Sequence, residues 1–289
     1  MTKNLLAFSL LAASMLTAAT AHAKVEHLLP SPQQITATQG TSFRLNRPVN
    51  ISDPTDCTLL KDLFKAHGCA IRATGVPVTV TIVNSIAGAF NHNLANYDNE
   101  AYKLDITSDA VNITAVTPVG VIRAAQTLAQ LAEGHEPGTE CLEAVNITDW
   151  PAFKLRGFMH DVGRSFITVD EIKKHIELLS HFKVNTFHWH LTENQAWRFE
   201  VKAYPALTSS SSMTRFPGKF YTQADCREVM AVAKKHGVTV IPEIDMPGHS
   251  DAFVRAMGCD MQSTQGKEIL LKVLEEVAEV FADAPYIHI

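Results

Sequence analysis

From Arg156 onward the chain alternates short apolar runs with amphipathic helical patterns, and polar residues cluster where each run ends. Gly157 to Val162 reads as a short buried strand. Thr168 to His181 reads as a helix. Thr168 with Glu171 three residues later makes a capping box, and Ile172, Ile176 and Leu179 form the apolar stripe. Val184 to Leu191 is a second strand. A second helix starts at Thr222, with Asp225 at its third position, and runs to Gly237, a residue suited to the turn past a helix end. Val238 to Asp245 is a third strand, Lys267 to Phe281 a further helix, and Tyr286 to Ile289 starts a fourth strand. Near-continuous apolar strands separated by helices imply a parallel sheet covered by helices. An open doubly wound sheet and a (β/α)8 barrel both satisfy that pattern. No Gly-rich phosphate loop follows any strand. Instead Asp161 and Arg164, then His188 to Asn194, then Glu243 to His249 crowd the strand ends, where barrel enzymes carry their chemistry. Four strands are half of a barrel. The periodicity therefore predicts an α/β fold over residues 151–289: about four β/α units forming the first half of a (β/α)8 TIM barrel.

Residues 24–150 have a different character. Val78 to Val83, Tyr102 to Ile106 and Val111 to Ala115 are strand candidates. Gly120 to Ala132 reads as a helix with Val121, Ala125, Leu128 and Leu131 on one face. Strands followed by a packing helix predict a small α+β domain ahead of the barrel. Residues 1–23 predict a secretory signal peptide: Lys3, an apolar stretch from Leu5 to about Ala19, then the small-x-small site Ala21-His22-Ala23. The stretch is short for a membrane span and no stop-transfer segment follows. Export to the periplasm or the extracellular space is the expectation. A formal net charge of −5 gives no footprint for nucleic acid or acidic membranes. Five cysteines are irregularly spaced with no Cys-x-x-Cys, so the pattern indicates neither a zinc site nor a redox motif.

Three clusters carry chemistry. In His160-Asp161-Val162-Gly163-Arg164, the guanidinium offers a fork of donors suited to vicinal hydroxyls or a carboxylate, or to a salt bridge at the sheet rim. In His188-Trp189-His190-Leu191-Thr192-Glu193-Asn194-Gln195-Ala196-Trp197-Arg198, the two histidines project to one face of a strand. Carboxylate, amide and aromatic groups follow, a combination suited to a carbohydrate, while His188 or His190 equally fits a polar layer inside a barrel. In Pro242-Glu243-Ile244-Asp245-Met246-Pro247-Gly248-His249, the Pro-Gly turn can fold His249 back beside Asp245, and the carboxylate would raise the imidazole pKa. A His-x-His at a strand end with a later Asp and His also fits a zinc-dependent barrel hydrolase.

These three segments, with Arg156-Gly157-Phe158-Met159 leading the first, resemble the family 20 glycoside hydrolases, the β-N-acetylhexosaminidases. The resemblance covers nearly all of residues 24–289, and the segment 24–150 resembles the small domain that precedes their barrel. It implies hydrolysis of terminal non-reducing N-acetyl-β-D-hexosamine, GlcNAc or GalNAc, from glycans. The reaction proceeds with retention through attack by the substrate's own acetamido oxygen, an exception to the usual two-carboxylate scheme. It implies no metal and no organic cofactor. Arg164 matches the arginine that binds the outer hydroxyls of the sugar, and Glu193 takes the place of the acid that shares this task. Asp245 and His249 match the dyad that supports the catalytic acid. Ser165 departs from a common His, His160 from an apolar residue, Asn194 from a second acid and Ala196 from a common Gly. In the family, Tyr-Ile-His-Ile continues into Gly-Gly-Asp-Glu, which holds the catalytic Asp-Glu pair. Here Ile289 is the last residue, so the resemblance implies a truncated chain that is inactive by itself. A non-catalytic sugar-binding remnant is the alternative, with Ser165 and Asn194 as signs of decay.

Overall fold

The computed structural model describes residues 25–38, 40–87, 98–135 and 139–289. The expected signal peptide lies outside them. The described chain divides into two compact units, the first comprising residues up to Lys154 together with His181–Lys183 and the second comprising the remainder.

The first unit is built on a six-stranded sheet. Its strands are β1 (Gln34–Ala37), β3 (Val49–Ser52), β4 (Val76–Ile82), β5 (Tyr102–Ile106), β6 (Val111–Ala115) and β8 (Val145–Asp149). The order is β1-β8-β5-β6-β4-β3. Pairing is antiparallel from β1 through β6 and parallel from β6 to β3. A short pair, β2 (Phe43–Arg44) and β7 (Cys141–Leu142), stands apart. Helices α1 (Thr58–Ala66) and α2 (Pro118–Ala132) bury Leu60, Phe64, Val121, Leu128 and Leu131 against Leu104, Ile113 and Ile147 of the sheet. Thr117 caps α2 by accepting from Val119 N and Gly120 N, and Pro118 sits in the first turn, where its missing N–H is harmless. Gly120 is required there, because a Cβ would stand 2.6 Å from the Ala101 carbonyl oxygen. The predicted strands and helix are present. The flanking strands β1, β3 and β8 and helix α1 come in addition. All five cysteines are free, so the nearby pair Cys57 and Cys69 forms no disulfide.

The second unit carries a parallel three-stranded sheet in the order β11-β10-β9, from β9 (Gly157–Asp161), β10 (Thr186–His190) and β11 (Thr239–Glu243). Register sets Asp161 beside His190 and His190 beside Glu243. Helices α3 (Val169–His181), α4 (Gln223–Lys235), α5 (Asp251–Met257) and α6 (Thr264–Val280) follow the strands. The predicted capping box at Thr168 forms, and a second one forms at Thr222 where the next helix was expected to start. Thr168 N donates to Glu171 Oε2 at 2.7 Å, and Asp225 N donates to Thr222 Oγ1 at 3.1 Å. Gly237 adopts φ +64°, as its place after α4 requires. Alternation along β10 sorts its residues. Phe187 and Trp189 enter a core with Tyr221, Val229, Val273 and Phe281, while His188 and His190 turn to the opposite face.

Two expectations change. The first strand was expected to be buried, yet Phe158 and Met159 of β9 are exposed. Among the described residues β9 pairs only with β10, which leaves its other edge without a strand partner. The fourth strand is a single parallel bridge between Glu243 and His288, held by Ile244 N donating to His288 O and His288 N donating to Pro242 O. The helix α5, directly after the Pro-Gly turn, was not foreseen: seven residues are too few for a periodic signal. Among the described residues no helix is long and apolar enough to cross a membrane.

Candidate active site

The loops after β9, β10 and β11 bring the predicted residues together at the C-terminal ends of the strands. Asp161, the last residue of β9, holds the turn that follows. Its Oδ1 accepts from Arg164 N at 2.9 Å and its Oδ2 from Arg164 Nη1 at 3.0 Å. The other guanidinium nitrogen, Nη2, forms an ion pair with Glu193 Oε1 and lies 3.3 Å from His249 Nε2. Arg164 is thus fixed by two carboxylates, yet 47 % of its side chain faces solvent. Glu193 is fully buried. A tight loop presents it: Glu193 N donates to Ala196 O, and Asn194 N donates to Glu193 Oε2 at 2.5 Å. Gly163 makes this possible, since a Cβ there would lie 2.4 Å from Glu193 Cβ.

His249 joins the second and third clusters. Its Nδ1 lies 2.5 Å from Asp245 Oδ2 and its Nε2 3.2 Å from Glu193 Oε1. Its backbone φ of +44° turns the chain back so that the ring returns to Asp245; such a conformation is uncommon for a residue with a Cβ. The hydrogen bond to Asp245 raises the His249 pKa above its ordinary value of 6.5; burial opposes this, and the charge of Glu193 adds to it. Asp245 is itself placed by its backbone, which donates to the buried Thr192 Oγ1 at 2.9 Å. Asn194 Oδ1 accepts from Asp251 N at 3.2 Å and so ties the β10 loop to α5. The geometry therefore unites Arg164, Glu193, Asp245 and His249.

Beneath this cluster Glu243 receives three imidazoles. His188 Nε2 lies at 2.6 Å and His190 Nδ1 at 2.8 Å from Oε2, and His288 Nδ1 at 3.2 Å from Oε1. This is the polar interior layer that the His-x-His spacing allowed. Among the described residues three groups could hold a metal ion: His188, Glu243 and His288; His190, Asp245 and His249; Asp161, His190 and Glu193. In the first, however, the nitrogens already face the carboxylate.

Trp197, for which the sequence implied no role beyond packing, lies in the core. It is 1 % exposed, packs on Phe253, and donates from Nε1 to Phe199 O. Asp161 and Glu243 stood among the polar residues expected at the strand ends and Gly163 lay within the first motif, but none of the three was given a role from the sequence. The Asp-x-x-Arg spacing was the available signal for Asp161; nothing local marks Gly163, whose contact comes from another loop.

An arginine held by two carboxylates at the carboxyl ends of parallel β/α units is the arrangement in which barrel enzymes place their sites. Residues 153–279 match the glycosyl hydrolase family 20 catalytic domain and residues 26–150 match domain 2 of the same family. The chain belongs to glycosyl hydrolase family 20. It is 44 % identical to a beta-hexosaminidase of Porphyromonas gingivalis over 169 residues, covering 54 % of this chain and 22 % of that protein. It is 33 % identical to a beta-N-acetylhexosaminidase of Cellulomonas fimi over 238 residues, covering 80 % of this chain and 48 % of that protein. A family 20 exo beta-N-acetylglucosaminidase of Vibrio harveyi, solved in complex with N-acetylglucosamine, superposes with a TM-score of 0.76 at 30 % identity. That match covers 93 % of this chain and 46 % of the other. The chain thus spans about half or less of the length of these relatives.

Proposed function

We propose that this chain supplies the sugar-holding part of an exo-acting, retaining β-N-acetylhexosaminidase that releases terminal GlcNAc or GalNAc from glycans outside the cytoplasm. The observation that carries the reading is Arg164, clamped by Asp161 and Glu193 while its outer edge stays open to solvent. A fork of donors fixed in this way can bridge two neighbouring hydroxyls without first being ordered by the ligand. His249, held by Asp245 and protonated more readily than an ordinary imidazole, can stabilise a neighbouring carboxyl group that cycles between acid and base. Export rests on the signal-like residues 1–23, and glycan specificity on the named relatives.

The test is hydrolysis of a chromogenic N-acetyl-β-glucosaminide by the longest product of the gene. Activity that survives chelators and yields the β-anomer first supports the reading; yielding the α-anomer first would sink it. One rival is a zinc-dependent hydrolase, for which His190, Asp245 and His249 bring their ligand atoms within 4.8 Å of one another. Activity abolished by chelators and restored by zinc would select it. Sugar binding without turnover would instead select a non-catalytic remnant.

A further inference from the structure

We propose that Arg198 is a positioning residue for substrate binding, locking the Gly163–Arg164 turn and the 213–219 loop into one rigid rim beside the sugar site; this rests on the reading of Arg164 and Glu193 as sugar-holding groups. Arg198 is completely buried, and its guanidinium donates to five main-chain carbonyls and, through Nη1, to Met213 Sδ at 3.3 Å. Nε donates to Val162 O at 2.9 Å. Nη1 donates to Phe216 O at 3.0 Å and Lys219 O at 2.6 Å, and Nη2 to Gly163 O at 3.1 Å and Arg215 O at 2.9 Å. The guanidinium also lies 5.5 Å from the Phe166 ring centroid and 5.9 Å from that of Phe216. Burial lowers its pKa to about 10, so it still carries its charge at neutral pH.

A buried cation with only neutral partners is costly, and an apolar side chain would fill the space more cheaply. What the guanidinium provides is direction. Its planar fork fixes two carbonyls of the β9 loop and three of the 213–219 loop at once, which a lysine cannot do. The consequence reaches the site in one step. Gly163, whose carbonyl Arg198 holds, packs directly on Glu193, and Arg164 follows it in sequence. Displacing the Gly163 carbonyl would loosen the surface against which Glu193 rests and the turn that carries Arg164.

The test uses the longest gene product with Arg198→Lys and Arg198→Ala. In Arg198→Lys, KM for the chromogenic glucosaminide should rise by about tenfold or more while kcat stays within ~3-fold, because binding and not the chemical step depends on the rim. Millimolar guanidinium should lower the KM of Arg198→Ala toward the unmodified value. Trypsin gives a readout independent of activity. The bonds after Arg215 and Lys219 should resist cleavage in the unmodified protein and be cut in Arg198→Lys before general digestion. Unchanged KM and unchanged cleavage in Arg198→Lys would overturn the proposal, as would rapid cleavage after Arg215 and Lys219 in the unmodified protein, even if neither variant folds. If the unmodified protein hydrolyses nothing but the tryptic pattern appears, the functional reading fails and the rim stands.

Discussion

Gly163 lies so close to Glu193 that a β-carbon at 163 would stand 2.4 Å from the Glu193 β-carbon and 3.1 Å from its γ-carbon. No real carbon pair approaches that closely, so the buried carboxylate keeps its place only because residue 163 has no side chain. Gly163→Ala should therefore push Glu193 away from Arg164 and His249. Overpacking of this kind costs about 1–3 kcal/mol. Thermal melting should register the loss, and KM should rise with little change in kcat. Normal melting and normal KM would show that the loop yields freely.

Glu193→Gln keeps the shape but removes the charge that Arg164 Nη2 and His249 Nε2 share. Hydrogen bonds to charged groups contribute about 1.5–3 kcal/mol, so substrate binding should weaken by roughly tenfold to a hundredfold. Kinetics with the longest gene product check this, and a variant that matches the parent in KM contradicts the role given to Glu193.

His249 should titrate above 6.5, because Asp245 accepts its hydrogen bond and Glu193 adds negative charge. A folded-state pKa above the unfolded value means the pair contributes its full stability below pH 6.5 and loses it as pH rises through the raised value. Asp245→Asn should bring the imidazole down toward its ordinary value and flatten that part of the stability profile. Carbon-13 or proton NMR of the ring, followed across pH 5–9, measures both; an unshifted midpoint in the parent protein would refute it.

The chain exposes Phe158 and Met159 on β9, which pairs only with β10 among the described residues, together with Phe153 and Leu155 just before it. An open apolar edge favours association. Size-exclusion chromatography should therefore show self-association, and a monodisperse monomer would contradict it.

Thr222→Ala serves as a control for site-directed effects. It removes the cap of α4, in which the Thr222 hydroxyl accepts from Asp225 N. About 1 kcal/mol of stability should be lost with KM unaltered. A changed KM would mean that α4 couples to the site.

Much of this was legible along the chain. The period of the apolar residues determined the β/α units after residue 156, and the caps at Thr168 and Thr222 set where two helices begin, because capping and amphipathicity act over three or four residues. The three polar clusters, and with them Arg164, Glu193, Asp245 and His249, could also be read, since each cluster is continuous in sequence. Tertiary structure decided what those clusters do to one another. Glu193 meets Arg164 and His249 only because parallel register sets the ends of β9, β10 and β11 side by side. The same packing consigned Trp197 to the core, surrounded Glu243 with three imidazoles, and brought Arg198 onto the carbonyls of two loops. Local periodicity records which face a side chain takes. It does not record which distant carbonyl, ring or carboxylate waits there, because that depends on contacts between residues tens of positions apart.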